Sequence, residues 1–416
     1  MKKSMKEWQN KNQNVLFLTH WSFNDPLIQT YTLPYVKIIR KILPIENKMI
    51  LVTSEQKKNG ITDQDIIKIN QNWEKENIKL KAQKYRAMGF IKILQLLKQI
   101  LSLVVLIKIN KITTIHCFCT PAGSIGYFLS KITGARLILD SYEPHAESMV
   151  ENGTWSKKSL AYSILFKMEK LQSKQCAYFI AASNAMRDYA RNKYGVESNN
   201  FYVKPACVDL NKFTLEKKDN KLVERLKLNE KIICVYAGKV GGIYLKEEIF
   251  DFIKICYIYW GIKFKFIMLT NATNDEVLKE IQRINIPESV VFRINVKHDE
   301  IPKYLSLGDF AINPVKPVPT KRCCTSIKDG EYWAMGLPII ITKNISDDSE
   351  IISKSGYGYV LNNLNNEEYR EAIRIIEKLI SGNVNELKKN IRKIAEKYRN
   401  YKIAEEIYTE IYCTNA

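Results

Sequence analysis

Histidine is scarce in this chain: His20, His116, His145 and His298 are the whole set among 416 residues, and no two stand at His-x-x-x-His spacing. The nine cysteines, at 117, 119, 176, 207, 234, 256, 323, 324 and 413, form no pair of Cys-x-x-Cys knuckles. A zinc site built on the usual ligand spacings is therefore excluded, and no metal ligand set is assigned. Most of the cysteines sit inside apolar runs, which suits a reducing cytoplasm better than a disulfide framework. Gly-x-x-x-x-Gly-Lys-Ser/Thr and Gly-x-Gly-x-x-Gly are both missing, which removes the P-loop and dinucleotide fingerprints. The longest apolar stretch, Phe90 to Ile109, is interrupted by Lys92, Lys98 and Lys108. Charges at that spacing are costly at a bilayer centre, so the stretch reads as amphipathic and not as a spanning helix. Met1 to Asn14 is polar, and the apolar run Val15–Thr19 is too short for a signal core, so a cytoplasmic start is expected.

What the sequence does have is length, apolar content and positive charge. With 46% hydrophobic residues it can bury two sizeable cores. The 64 Lys plus Arg against 44 Asp plus Glu leave a formal charge of +20. Of the basic residues 51 are Lys, accompanied by abundant Ile and Asn, so part of the excess reflects A/T-rich codons. The remainder favours an anionic partner, either phosphates or an acidic membrane face.

Short apolar runs alternate with helical patterns, which is the signal of parallel sheets wrapped by helices and predicts the α/β class. Strands are expected at Asn14–Thr19, Lys48–Thr53, Thr113–Cys119, Arg136–Asp140, Ala177–Ala181 and Asn200–Val203. Helices are expected at Leu27–Leu43, Phe90–Lys108, Ala122–Thr133, Lys157–Ser173 and Ser183–Tyr194, the last with Ser183 as N-cap. After a polar stretch, Glu216 to Lys227, the rhythm restarts with strands at Lys231–Ala237, Phe264–Leu269, Val290–Ile294, Phe310–Ile312 and Pro338–Ile341. Three helices follow, Glu367–Ile380, Asn385–Tyr398 and Tyr401–Tyr412. The expected organisation is two doubly wound domains, 1–205 and 206–398, with 399–416 packing back toward the first. Ligands are then expected at the carboxyl ends of the strands, in a cleft that the domains face.

The most specific segment is Cys324-Thr-Ser-Ile-Lys-Asp-Gly-Glu-Tyr-Trp-Ala-Met-Gly-Leu-Pro-Ile-Ile-Ile. Ser326 can cap a helix whose first N–H groups attract phosphate, and Lys328 and Glu331 follow on one face. An ammonium beside a diphosphate and a carboxylate accepting ribose hydroxyls is the chemistry that a sugar nucleotide needs. A capped helix with a solvated Lys–Glu pair is the plainer reading. A second segment, Val235-Tyr-Ala-Gly-Lys-Val-Gly-Gly-Ile-Tyr, breaks a strand at Gly238, Gly241 and Gly242 and puts Lys239 at its carboxyl end. There the backbone can approach a bulky anion. A third, Val203-Lys-Pro-Ala-Cys-Val-Asp-Leu-Asn-Lys-Phe, joins the halves.

Ser-x-Lys-x-x-Glu-Tyr-x-Ala-x-Gly-x-Pro followed by a β-branched strand resembles the donor-site motif of glycosyltransferase family four, and the other two segments agree with it. The resemblance covers most of the chain and implies the GT-B fold. It also implies retaining transfer from a UDP- or GDP-sugar with no metal and no further cofactor. Glu331 would bind the ribose, Lys239 and Lys328 the diphosphate, and Gly238, Gly241, Gly242 and Ser326 would complete the donor site. Lys246 matches an assisting lysine only loosely. Many members carry a second glutamate eight positions before the ribose-binding one, where this chain has Cys323. The hexose contact that depends on that glutamate is not carried over.

The first domain is expected to hold the acceptor, a glycan or lipid-linked sugar. After the strand Arg136–Asp140, the loop Ser141-Tyr-Glu-Pro-His-Ala-Glu carries Glu143 and His145. Acidic neighbours can hold the tautomer of His145, and in similar enzymes an acidic residue or histidine here reaches the reacting hydroxyl. A surface histidine beside a capped helix is the other reading. After the first strand, family members have a Gly-rich turn. This chain has Thr19-His-Trp-Ser-Phe-Asn-Asp instead, which assigns His20, Trp21 and Asp25 to the acceptor, with aromatic faces for a sugar ring.

Two other functions fit the same fold. One is a non-catalytic basic binder of an anionic glycan or nucleic acid, against which Glu331 in its motif context argues, so nucleic acid is not expected. The other is a sugar-nucleotide 2-epimerase. The +20 charge and the Lys-flanked stretch Phe90–Lys108 also suggest a peripheral position on the inner membrane face, although a core-facing helix and codon bias account for both.

Overall fold

A computed structural model describes residues 13–56, 60–84 and 90–414. They form two compact units: the described residues up to Lys204 together with Lys402 onward, and Pro205–Tyr401. The first unit carries strands β1 (Asn14–Leu18), β2 (Met49–Glu55), β3 (Ile78–Lys84), β4 (Ile112–Phe118), β5 (Arg136–Tyr142), β6 (Tyr178–Ala181) and β7 (Phe201–Val203). They pair in parallel in the order β3-β2-β1-β4-β5-β6-β7. The second unit holds β8 (Ile232–Ala237), β9 (Phe264–Leu269), β10 (Val291–Ile294), β11 (Phe310–Asn313), β12 (Ile339–Thr342) and β13 (Gly358–Leu361). Their order is β10-β9-β8-β11-β12-β13, also parallel. Each sheet reverses its winding once, between β1 and β4 and between β8 and β11. The crevices at those reversals, at the carboxyl ends of the strands, are where doubly wound sheets place ligands.

These strands read as near-continuous apolar runs because helices cover both faces. Alternation still sorts the side chains. Ile233, Val235 and Ala237 enter one core with Tyr332 and Trp333, while Cys234 and Tyr236 enter the other with Phe250 and Phe252. Helix starts follow local chemistry: Thr62 and Asp65, and Thr273 and Glu276, close reciprocal capping boxes.

The structure adds two strands that the sequence reading leaves out, β3 and β13, each at a sheet edge. It also adds a helix at Asp63–Trp73. The expected helix Ser183–Tyr194 starts at Ala185, and Asn184, not Ser183, stands at its N-cap. The final helix, Tyr401–Thr409, and the helical turn Glu410–Thr414 that continues it are held in the first unit by buried tyrosines: Tyr408 Oη donates to Asp140 at 2.5 Å and Tyr412 Oη bonds His116 Nδ1 at 2.8 Å. Among the described residues no helix is long and apolar enough to cross a membrane, and no cluster of three metal-ligating side chains occurs.

Candidate functional site

In the second unit the site grows from the carboxyl end of β8. Gly241 and Gly242 have φ of 79° and 66°, a region that side-chain-bearing residues rarely enter, so the chain can turn sharply there. Gly238 serves a different need. A Cβ built on it would lie 2.3 Å from Lys328 Cε and 3.1 Å from its Nζ, so only glycine lets the Lys328 side chain lie against this turn. The helix Ile327–Ala334 that carries Lys328 is pinned to the same strand end, because Ala237 N donates to Tyr332 Oη at 2.9 Å.

Lys328 Nζ donates to Tyr244 Oη at 2.6 Å and lies 4.1 Å from the centre of that ring. An ammonium has three donors, so two remain for a ligand. Lys239 is exposed, and its ammonium has no ion-pair partner among the described residues. It borders a cavity of about 300 Å³ lined also by Lys246, Asn271, Glu276 and Glu280. Lys246 is itself paired, 3.5 Å from Glu280.

Glu331 is buried at 3% exposure, and its Oε1 lies 3.0 Å from His298 Nε2. Between the two functional candidates of the helix, Asp329 is buried and accepts from Asn313 Nδ2 at 2.7 Å. Burial and the neighbouring Asp348 carboxyl push its pKa well up, while Arg399 bonds Asp348. That arrangement anchors the helix and leaves Lys328 and Glu331 free of the anchoring task. Ser326 corrects an expectation. It occupies the N-cap position, but its hydroxyl has no hydrogen-bond partner among the described residues, and Asp329 N donates to the Ser326 carbonyl at 3.3 Å. Cys323, in the position of the missing glutamate, is buried at 3% exposure.

In the first unit the structure gathers His20, Glu143 and His145 at the carboxyl ends of β1 and β5. His145 Nδ1 stands 3.5 Å from Glu143 Oε1, and both side chains are about one quarter exposed, 26% and 27%. Burial, then the charge of His145, hold the His20 pKa down at about 4. Trp21 contributes its backbone, since its carbonyl accepts from Ser54 N at 3.1 Å. Asp25 is occupied locally: its carboxylate accepts from Leu27 N at 2.9 Å and opens the following helical segment.

Several residues that the sequence reading passed over complete these sites. Glu169, fully buried, accepts from Ala146 N at 2.9 Å and from Tyr194 Oη at 2.9 Å, so it fixes the first turn of the helix His145–Glu151. Burial raises its pKa to about 7 despite those donors. Cys119, at the end of β4, has φ of 75°, a conformation that costs of order 1–3 kcal/mol in a non-glycine residue. Tyr244 and His298 are brought to Lys328 and Glu331 from 84 and 33 positions away. No local spacing announces such contacts. The scarcity of histidine was the one signal available for His298.

A family model described as glucosyltransferase 3-like, C-terminal domain, matches residues 256–411. Comparison with curated proteins returns no match. Among solved structures, Anabaena HepE in complex with UDP-glucose is similar at 15% identity, covering 96% of this chain and 99% of that one with a TM-score of 0.71. Sucrose-phosphate synthase from Thermosynechococcus elongatus follows at 13% identity, 96% and 98% coverage and a TM-score of 0.69. WaaG, a glycosyltransferase involved in lipopolysaccharide biosynthesis, has 11% identity, 97% and 100% coverage and a TM-score of 0.68. With two parallel doubly wound sheets and neighbours of this kind along nearly its whole length, the chain has the GT-B fold.

Proposed function

We propose that this protein is a retaining, metal-independent glycosyltransferase of family four, moving a hexose from a UDP- or GDP-sugar to a glycan or lipid-linked acceptor. The observation that carries the proposal is the placement of Lys328 against the Gly238 turn with Glu331 three residues along the same helix. In this reading the cation meets the diphosphate and the carboxylate meets the ribose of a single nucleotide. The resemblance of HepE, solved with UDP-glucose, and of the glucosyltransferase 3-like model supports the donor class.

In this reading Lys239 and Lys328 face the diphosphate, with the turn at Gly238, Gly241 and Gly242 and the helix start at Ser326 around it. As the glycosidic bond breaks the leaving diphosphate gains negative charge, so both ammonium groups stabilise the transition state more than the ground state. His145, with Glu143 and His20, receives the acceptor hydroxyl in the first unit, and Trp21 and Asp25 border that region. The leaving phosphate can itself accept the acceptor's proton, and no side chain is assigned as nucleophile.

The reading also places the protein on the cytoplasmic face of an anionic membrane. The helix Phe90–Ile109 exposes Leu97, Leu101, Val105 and Ile109 at four-residue spacing, beside the exposed Lys98 and Lys108. Phe128 and Ile132 of the adjoining helix are exposed too. A bilayer with acidic headgroups suits both the apolar stripe and the lysines. The side chain of Lys92 lies outside the described residues. Sedimentation with anionic vesicles at low salt tests this part: the protein pellets, and Lys98→Glu with Lys108→Glu abolishes pelleting. Protein that stays in the supernatant would end the membrane assignment alone.

Nucleotide affinity tests the central claim. Glu331→Ala removes hydrogen bonds to a charged group worth about 1.5–3 kcal/mol, so UDP or GDP binding falls about tenfold to a hundredfold in calorimetry. Unchanged affinity in a folded variant refutes the donor site.

A further inference from the structure

Glu331 does not stand alone. Its Oε1 is 3.0 Å from His298 Nε2, and the other ring nitrogen, Nδ1, is 2.9 Å from Lys212 Nζ. An ammonium can only donate, so Nδ1 must be the acceptor in that contact. The ring proton is then on Nε2, and Nε2–H donates to the glutamate. Lys212 is held in turn, 2.6 Å from Asp299 Oδ1, and the Phe213 ring meets the imidazole edge-on at 5.9 Å. The tautomer and the plane of the imidazole are thereby both set.

The carboxylate is 4% exposed, whereas the imidazole is 35% exposed. Oε2 of Glu331 has no side-chain partner among the described residues. A buried carboxylate with one oxygen engaged by a fixed donor has a fixed rotamer, and its second oxygen points in one direction. Without His298 the side chain regains rotamer freedom, and a ligand hydroxyl must then order it at the moment of binding.

We propose that His298 is a positioning residue for the donor site, locking Glu331 through Nε2–H so that Oε2 is presented to a ribose hydroxyl. The inference rests on the ribose-binding reading of Glu331. It adds that the discrimination between ribose and deoxyribose depends on His298, with Lys212 and Phe213 of the same unit setting the ring.

The test compares UDP with 2′-deoxy-UDP and 3′-deoxy-UDP by calorimetry, with GDP and its deoxy forms run in parallel. In the unaltered protein one deoxy form binds about tenfold more weakly, the size of a lost hydrogen bond to a charged group. In His298→Ala and His298→Asn that ratio falls to about threefold or less, while affinity for the weaker deoxy form stays constant. His298→Gln restores the ratio, because its amide N–H reaches the place of Nε2 and that of the shorter Asn does not.

A full ratio in both His298→Ala and His298→Asn overturns the positioning role and leaves the ribose reading intact. Equal weakening of ribo and deoxy forms also overturns it, since a merely structural residue behaves that way. No discrimination in the unaltered protein overturns the ribose reading itself, and this inference with it. Should His298→Ala fail to fold, the contrast between the Gln and Asn variants decides.

Discussion

Two lysines, one in each unit, show how the same side chain can be given opposite partners. Lys204, at the end of the first sheet, is fully buried, 3.2 Å from Asp140 Oδ1, with Tyr31 Oη at 3.0 Å and the Tyr35 ring centre at 3.4 Å. Its charge is neutralised inside the protein. Burial pushes the Asp140 carboxyl upward, but Lys204 and the donors His116 and Tyr408 outweigh it and hold that carboxyl below its usual range. Lys328, in the second unit, has a phenol for a partner and no carboxylate among the described residues. A neutral partner orients an ammonium without cancelling it. The charge of the partner separates a lysine whose charge is cancelled from one whose charge is left open.

The comparison breaks most visibly at Asp140. Asp140→Ala leaves the Lys204 ammonium buried without its counter-ion, a loss of about 3–5 kcal/mol in denaturant titration. Lys328→Gln is expected to leave the unfolding midpoint nearly unchanged. A stable Asp140→Ala protein would show that the network is not structural.

Activity reverses the ranking. Lys328→Gln lowers turnover by about a hundredfold at saturating donor, in the range seen when one donor to developing charge is removed, with a smaller change in nucleoside affinity. Gly238→Ala forces the same ammonium aside through the 2.3 Å approach to its Cε and lowers turnover in the same direction. Equal turnover in both variants would make Lys328 a surface lysine.

The smallest effect is in the pH dependence of the first unit. The folded pKa of His20 is about 4 against the usual 6.5, so its contribution to stability is complete above pH 6.5 and is lost as pH falls toward 4. Glu169 is raised from 4.5 to about 7, so its contribution is complete below pH 4.5 and is lost as pH rises to 7. The two slopes oppose each other in the overlap. Glu169→Gln should therefore melt at temperatures that rise more steeply with pH between about 4.5 and 6.5 than those of the unaltered protein. Parallel profiles would show that Glu169 does not titrate there.

The same contrast explains which features were legible in the sequence. Strands with both faces covered are apolar throughout, so most could be read directly. The two omitted strands lie at sheet edges: β3 reads Ile-Lys-Leu-Lys-Ala-Gln-Lys, and β13 has four residues starting with Gly358. Lysines on an edge strand blunt its open hydrogen-bonding row and also erase the apolar signal. Lys328 and Glu331 could be read because three residues on one helix make a spacing. His298, Tyr244 and Lys212 could not, since only the fold brings them together. Asp140 and Lys204 were read as a strand end and a linker residue, because neither betrays a partner 64 positions away by local pattern.

The chain passes between the units twice, after Lys204 and again after Tyr401. The second unit is one uninterrupted segment, whereas the first is closed by Tyr408 and Tyr412, which bond groups 268 and 296 positions earlier. Contacts of such sequence separation carry a high loop-closure cost before they return any stability. The first unit therefore depends on a segment that lies beyond the whole of the second in the chain. Until the final helix arrives, Asp140 and His116 lack their phenol partners. The segment that follows the second unit thus acts as a latch on the first, through two phenols that close a buried His–Asp pair.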